Sequence, residues 1–302
     1  MGKRQRSRSV KDRFELMLAR LFCYLPIPWV SSIGGFLGAR QGRKAIRANR
    51  LWVRRMHKSY ATLMGITDQT ERERRIIEHT RHVGQVYAEI PVLHRLVREN
   101  RLEIIGLDHL EHLTKPVILV SAHTAHWELI GRVAELVGGR FCDIYLPLNN
   151  SVRAQLAHEM RSRWQFEGGM SGDLIPASPS AMRQITKAVA QGSNVVLFID
   201  EEKNGTVQSP QFGRGTGHRG NLWFATRLAV RYGLDILPVH IEPNGLGRYR
   251  AIIEPKLSSS GEGDAHTKAC VLADKLDHQL TSWIRQNLDH WYWLPLLDID
   301  EA

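Results

Sequence analysis

The residues best suited to chemistry in this chain of 302 residues are His123 and Glu128, in the stretch Ser121-Ala122-His123-Thr124-Ala125-His126-Trp127-Glu128. A hydroxyl is a poor nucleophile near neutral pH, and an imidazole in contact with it acts as general base. A carboxylate beside the ring fixes its tautomer and stabilises the imidazolium. On one regular helix a separation of five residues is about 140° of rotation, and the two side chains would not meet. They meet only if His123 still lies in a turn and Glu128 in the first turn of a helix. The flanking residues predict that arrangement. Pro116-Val117-Ile118-Leu119-Val120 reads as a buried strand, and Leu129, Ile130, Val133, Ala134 and Val137 give a helix over 127–137. His123 then sits at the strand-to-helix edge where open α/β sheets place ligands.

Other groups were weighed for the same cleft. Phe198-Ile199-Asp200-Glu201-Glu202 ends a second strong strand with three carboxylates, any of which could reach the cleft if the two strand ends align. One of them could hydrogen-bond a basic side chain or supply a second acidic contact to His123. We take Glu201 and Glu202 as substrate contacts, while which acid points inward stays open at this level. Gly215-Thr216-Gly217-His218-Arg219-Gly220 matches the dinucleotide fingerprint by letter, but no strand precedes it and no acid follows at the right place. Arg214 and Arg219 there suit an anion such as a phosphate, held near a helix start. His123 and His126 are three apart, not the four a zinc-protease helix requires, so no metal is expected. Ser121 lacks the G-x-S-x-G elbow of serine hydrolases.

The elements that must position these residues follow from the rest of the chain. From Leu102 onward, strand patterns (102–105, 117–120, 141–146, 195–199, 236–241, 249–253) alternate with helix patterns (127–137, 151–165, 179–191, 220–232). The expectation is an α/β fold with a central, mostly parallel sheet flanked by helices. Leu272, Leu276, Leu280, Trp283 and Ile284 form one stripe of a closing helix, 264–288, followed by His290-Trp291-Tyr292-Trp293. Cys23, Cys142 and Cys270 fit no paired framework, which points to a reducing compartment.

Charge divides the chain. Residues 1–101 hold 22 Lys and Arg against 8 Asp and Glu, whereas the remainder holds 19 against 23. Within the basic third, Leu21 to Ala39 carries no charge for nineteen positions, then Arg and Lys recur from Arg40 to Lys58. Such an arrangement excludes an RNA module and predicts a monotopic membrane anchor bracketed by cations on the cytoplasmic side. Pro26, Pro28 and Gly34-Gly35 read as interruptions of any span, and the dense Arg after the segment opposes a signal peptide. A helix is expected over 70–101. Two regions result: a basic helical anchor over 1–100 and a catalytic domain over 101–302.

Taken together, His123-TAHW-Glu128, Phe198-Ile199-Asp200-Glu201-Glu202, Phe212-Gly213-Arg214-Gly215-Thr216, Ile236-Leu237-Pro238-Val239 and Trp291-Tyr292-Trp293 carry a likeness over most of the chain. The chain resembles the bacterial lipid A biosynthesis acyltransferases, the lauroyl/myristoyl transferase family of the lysophospholipid acyltransferase superfamily. The resemblance implies an acyl-thioester donor (acyl carrier protein or coenzyme A), a lipid hydroxyl acceptor such as a lipid A precursor, and no cofactor. It implies His123 as base, Glu128 as its partner, Arg161 and Arg163 as phosphate holders, and a place at the cytoplasmic face of the inner membrane. Members often carry Tyr-Arg-Pro where this chain reads Tyr145-Leu146-Pro147, and Asp-Gln-Asp where it reads Asp200-Glu201-Glu202. Another lipid acceptor (aminolipid, lysophospholipid or glycolipid), or a peripheral membrane protein without activity, are the competing readings.

Overall fold

The computed structural model describes residue 17 and residues 19–111, 113, 116–145, 171–203, 205–214 and 217–299. After a helical stretch at residues 19–22 come α1 (Ile27–Arg47), α2 (Leu51–Met64), α3 (Gln69–Glu89) and the short α4 (Leu93–Arg98). The single helix expected over 70–101 is broken at Pro91. Proline lacks an N–H and its ring displaces the carbonyl four residues back, so a 3₁₀ turn (Ile90–Val92) separates α3 from α4. Asp68 caps α3 by accepting the Glu71 backbone N–H at 2.8 Å.

The uncharged segment takes a different form from the interrupted stretch its letters predict. Proline is tolerated in the first turn of a helix, and α1 starts at Ile27 between Pro26 and Pro28. It then runs through Gly34-Gly35 without a break. Gly34, Gly38 and Gly42 lie four apart on its inner face, and a Cβ at any of them would collide with Gly84 or Thr80 of α3. Glycine here permits backbone-to-backbone contact between the two helices. The outer face of α1 leaves Trp29 (64% exposed), Phe36 (60%) and Leu37 (55%) uncovered. Among the described residues no helix is long and apolar enough to cross a membrane.

The seven-stranded sheet runs β1-β9-β8-β2-β5-β3-β4, where β1 is Leu102–Ile105, β2 Val117–Ser121, β3 Arg140–Tyr145, β4 Ser171–Pro176, β5 Asn194–Phe198, β8 Asp235–Pro243 and β9 Tyr249–Ile253. All neighbouring pairs are parallel except β8 with β9. A small hairpin, β6 (Glu202–Lys203) and β7 (Thr206–Val207), stands apart. The expected mostly parallel α/β sheet is therefore the observed one. β4 is an addition: its segment carries only Leu174 and Ile175 as large aliphatics, and an edge strand needs few.

All five residues of β2 are buried, as a central strand covered on both faces requires. Ile118 and Val120 point to one core with α7 (Gly220–Tyr232), α8 (Ala265–Gln286) and α6 (Ala181–Ala190). Leu119 points to the other core, with α5 (Ile130–Val137), α4 and the start of α1. Ile27 and Val30 of α1 share that second core with Leu119 and Leu237. Asp264 caps α8 by accepting the Thr267 N–H at 2.7 Å. The helix expected over 151–165 lies outside the described residues.

Candidate active site

Ser121 at the end of β2 stands opposite Phe198 at the end of β5. The ladder continues one step further, with the Ile199 N–H bonded to the Ser121 carbonyl at 2.9 Å. Two residues beyond that pair, the same register delivers His123 and Asp200 to one edge of the sheet.

Asp200 has no exposed surface. Its Oδ2 accepts the His123 backbone N–H at 2.7 Å and the Trp291 indole N–H at 2.9 Å. Its Oδ1 lies 2.8 Å from Nδ1 of the His123 ring. A buried carboxylate is costly unless donors surround it, and three surround this one. A carboxylate only accepts, so Nδ1 carries the proton and Nε2 keeps its lone pair. The Trp293 indole N–H, 3.2 Å from Nδ1, then packs against the ring as a neighbour, since two donors cannot bond each other. Nε2 has no hydrogen-bond partner among the described residues, and the side chain is 22% exposed. Phe198, Trp293 and Trp127 wall the ring at centroid distances of 4.3, 5.3 and 5.7 Å. An imidazole so held can take a proton at Nε2.

The carboxylate on the ring is thus Asp200, in place of the Glu128 partnership expected from spacing. The reason lies in the loop. The chain does not enter an α-helix at Trp127: Ala125 sits at φ +46° and a 3₁₀ turn (Trp127–Leu129) precedes α5. Nδ1 is thereby aimed across at the neighbouring strand. Glu128 lies half-buried on the 3₁₀ turn, with contacts of its own.

A second segment closes the site. Residues 290–292 pair with the loop: the Ala125 N–H bonds the His290 carbonyl at 3.1 Å and the Tyr292 N–H bonds the His123 carbonyl at 2.9 Å. Just before it, Asp289 accepts from Tyr60 OH of α2 at 2.8 Å and from Arg75 of α3 at 2.7 Å. That carboxylate raises the Arg75 pKa further.

The other expected contacts divide. Glu201 accepts the Asn221 backbone N–H at 2.7 Å and so caps α7, and burial pushes its carboxyl up. Glu202 accepts the Gly205 N–H inside the β6–β7 hairpin. Both acids read as substrate contacts therefore have local structural work. Arg214 is tied to the Gln211 and Pro210 carbonyls at 2.8 and 3.0 Å, while Arg219 is exposed at the start of α7. Arg161 and Arg163 lie outside the described residues. Phe198 was missed as a ring neighbour, although its position at the end of β5, level with Ser121, was a usable signal. A groove of about 930 Å³ between β8–β9 and α8 is lined by residues such as His240, Glu254 and Trp283, with no part of the His123 site.

A buried carboxylate holding an imidazole at the edge of a parallel sheet, on an α/β scaffold, is the geometry a general base requires. The chain matches the profile of the bacterial lipid A biosynthesis acyltransferases over residues 4–296, and it belongs to that family and is an acyltransferase. No curated protein sequence matches it. Among solved structures it is similar to the 1-acyl-sn-glycerophosphate acyltransferase PlsC from Thermotoga maritima, at 12% identity and a TM-score of 0.38, over 83% of this chain and 97% of that one.

Proposed function

We propose that the protein transfers a fatty acyl chain from an acyl-thioester, on acyl carrier protein or coenzyme A, to a hydroxyl of a membrane lipid, a lipid A precursor being the acceptor of choice. The observation that carries this reading is the open Nε2 of His123, with Nδ1 locked on buried Asp200 inside an aromatic wall. His123 takes the hydroxyl proton at Nε2 as the acceptor oxygen attacks the thioester carbonyl. The C–S bond then breaks, the ester C–O bond remains, and the departing sulfur receives the proton from His123. Asp200 stabilises the imidazolium between those steps. Glu128 and the N–H groups of the Trp127–Leu129 turn stand next along the chain and serve the acceptor and the developing oxyanion. Arg161 and Arg163 hold phosphate. No cofactor enters this scheme.

The membrane assignment rests on α1. Trp29, Ile33, Phe36 and Leu37 share one exposed face with Arg40, Arg43, Lys44 and Arg47, at spacings of three and four. An apolar stretch followed by cations on the same stripe suits the cytoplasmic leaflet of the inner membrane, with the body of residues 101–302 carrying the reaction. Each cation near an anionic surface adds about 1 kcal/mol.

Lipids extracted from cells expressing wild-type protein or His123→Ala, resolved by mass, test the reading and name the acceptor. Loss of the base should lower transfer by about 100-fold or more. Wild-type transfer to an aminolipid, lysophospholipid or glycolipid would keep the chemistry and change the acceptor; activity retained by His123→Ala would remove it.

A further inference from the structure

Glu89, the last residue of α3, is wholly buried. Its carboxyl oxygens accept from Ser31 Oγ of α1 and, at 2.5 Å, from Tyr249 OH of β9. Facing it is His126, three residues beyond His123, with Nε2 at 4.0 Å from Glu89 Oε2. His126 is also wholly buried, and neither of its ring nitrogens has a hydrogen-bond partner. Its ring stands edge-on to Tyr249, at 5.4 Å between centroids. A buried carboxyl without Lys or Arg in contact and a buried imidazole without a hydrogen bond each cost stability. Here they are placed opposite one another where α1, α3, β9 and the catalytic loop meet. Between His126 and His123 lies Ala125 in the left-handed region, a conformation that persists in a non-glycine residue only when its surroundings over-determine it. Thr124 contributes to that hold, donating to the Ile241 carbonyl at 3.0 Å.

We propose that Glu89, acting through His126, is a positioning residue for His123: Asp200 holds one end of the loop, and the Glu89–His126 pair holds the other. The inference rests on the acyl-transfer reading for its kinetic consequence, but not for its structural one. Ionised Glu89 attracts the His126 Nε2–H and tightens the loop; the neutral carboxyl attracts it less. Burial raises Glu89 to about 7 and lowers His126 to about 4. The other groups facing the pair are Tyr249, whose own proton burial retains, Arg101, which favours the ionised Glu89 carboxyl, and Glu128, whose charge acts on His126 against the effect of burial. The grip therefore strengthens as pH rises through about 7. Activity thereby gains a dependence on the ionisation of Glu89.

The test compares full-length wild type with Glu89→Gln and Glu89→Ala, using lauroyl-coenzyme A and lauroyl-acyl carrier protein with vesicles of Gram-negative inner-membrane lipid. The ratio of wild-type to Glu89→Gln kcat should approach one well below pH 7 and grow as pH rises through about 7, where the wild-type carboxyl ionises and the amide cannot. At pH 8 its kcat should drop about tenfold with KM little changed, and Glu89→Ala should lie lower still. A second arm needs no turnover: the rate at which diethylpyrocarbonate modifies His123, read by mass spectrometry, should rise several-fold in Glu89→Gln. This arm decides the inference even if wild type transfers no lauroyl group. Should Glu89→Ala fail to fold, Glu89→Gln carries both arms. A wild-type to Glu89→Gln kcat ratio that does not change with pH, together with an unchanged modification rate in folded Glu89→Gln, overturns the proposal.

Discussion

The edge of β2 and β5 and the α1–α3 pair solve the same problem, close approach of two chain segments, by opposite means. At the sheet edge a parallel ladder sets the register, and side chains with hydrogen-bonding groups fill the contact: Asp200 gathers three donors. Between α1 and α3 side chains are removed: Gly34, Gly38, Gly42 and Gly84 let backbone meet backbone. The first contact confers direction on one imidazole. The second confers rigidity on a surface and frees the far side of α1 for apolar exposure. Polar density marks the chemistry, and its absence marks the support.

Substitutions can break each half of that contrast separately. The largest effect is expected for Asp200→Asn. An amide at that place cannot hold the Nδ1–H tautomer as the carboxylate does, so kcat should fall by about 10²–10⁴ while helix content and membrane binding stay. Activity within a few-fold of wild type would show that the register between β2 and β5 places Asp200 without using it. Next comes Gly38→Leu, which drives a side chain into the Thr80 carbonyl of α3. Overpacking of this kind costs about 1–3 kcal/mol, seen as a lowered melting temperature. An unchanged melting temperature would mean the glycine stripe is dispensable. The smallest effect is expected for Trp29→Ser with Phe36→Ser. Side chains of a helix lying in the interface insert only in part, so removing these two should weaken binding to anionic vesicles by about 1 kcal/mol in all and leave melting unchanged. Equal vesicle binding by the double variant would take the outer face of α1 out of the membrane contact.

Much of the sheet was legible because its strands are short apolar runs between polar breaks. Val117–Ser121 and Asn194–Phe198 are the clearest, and they are also the central pair that carries His123 and Asp200. What eluded the letters was partnership. Glu128 is nearer than Asp200 along the chain, and spacing arguments favour the near residue. Only the register of β2 against β5, a property of two segments 77 residues apart, brings Asp200 to the ring. Glycine was misread for a related reason. Gly34-Gly35 weakens an isolated helix, and that local preference loses to the close packing it permits, Gly34 against Gly84 and Gly35 against Arg81 and Gln85. Ser171–Pro176 escaped notice since an edge strand is held mainly by backbone bonds to β3, which side-chain patterns do not record. The triplet Asp200-Glu201-Glu202 was correctly located at a strand end. Its division into a site residue, a helix cap and a hairpin support depends on where each backbone turn points.

The tryptophan segment has one more consequence, for biosynthesis. The indole that donates to Asp200 belongs to residue 291, while the loop it completes is translated some 170 residues earlier. A partly made chain therefore leaves Asp200 short of one of its three donors until the segment carrying Trp291 has been translated and has docked.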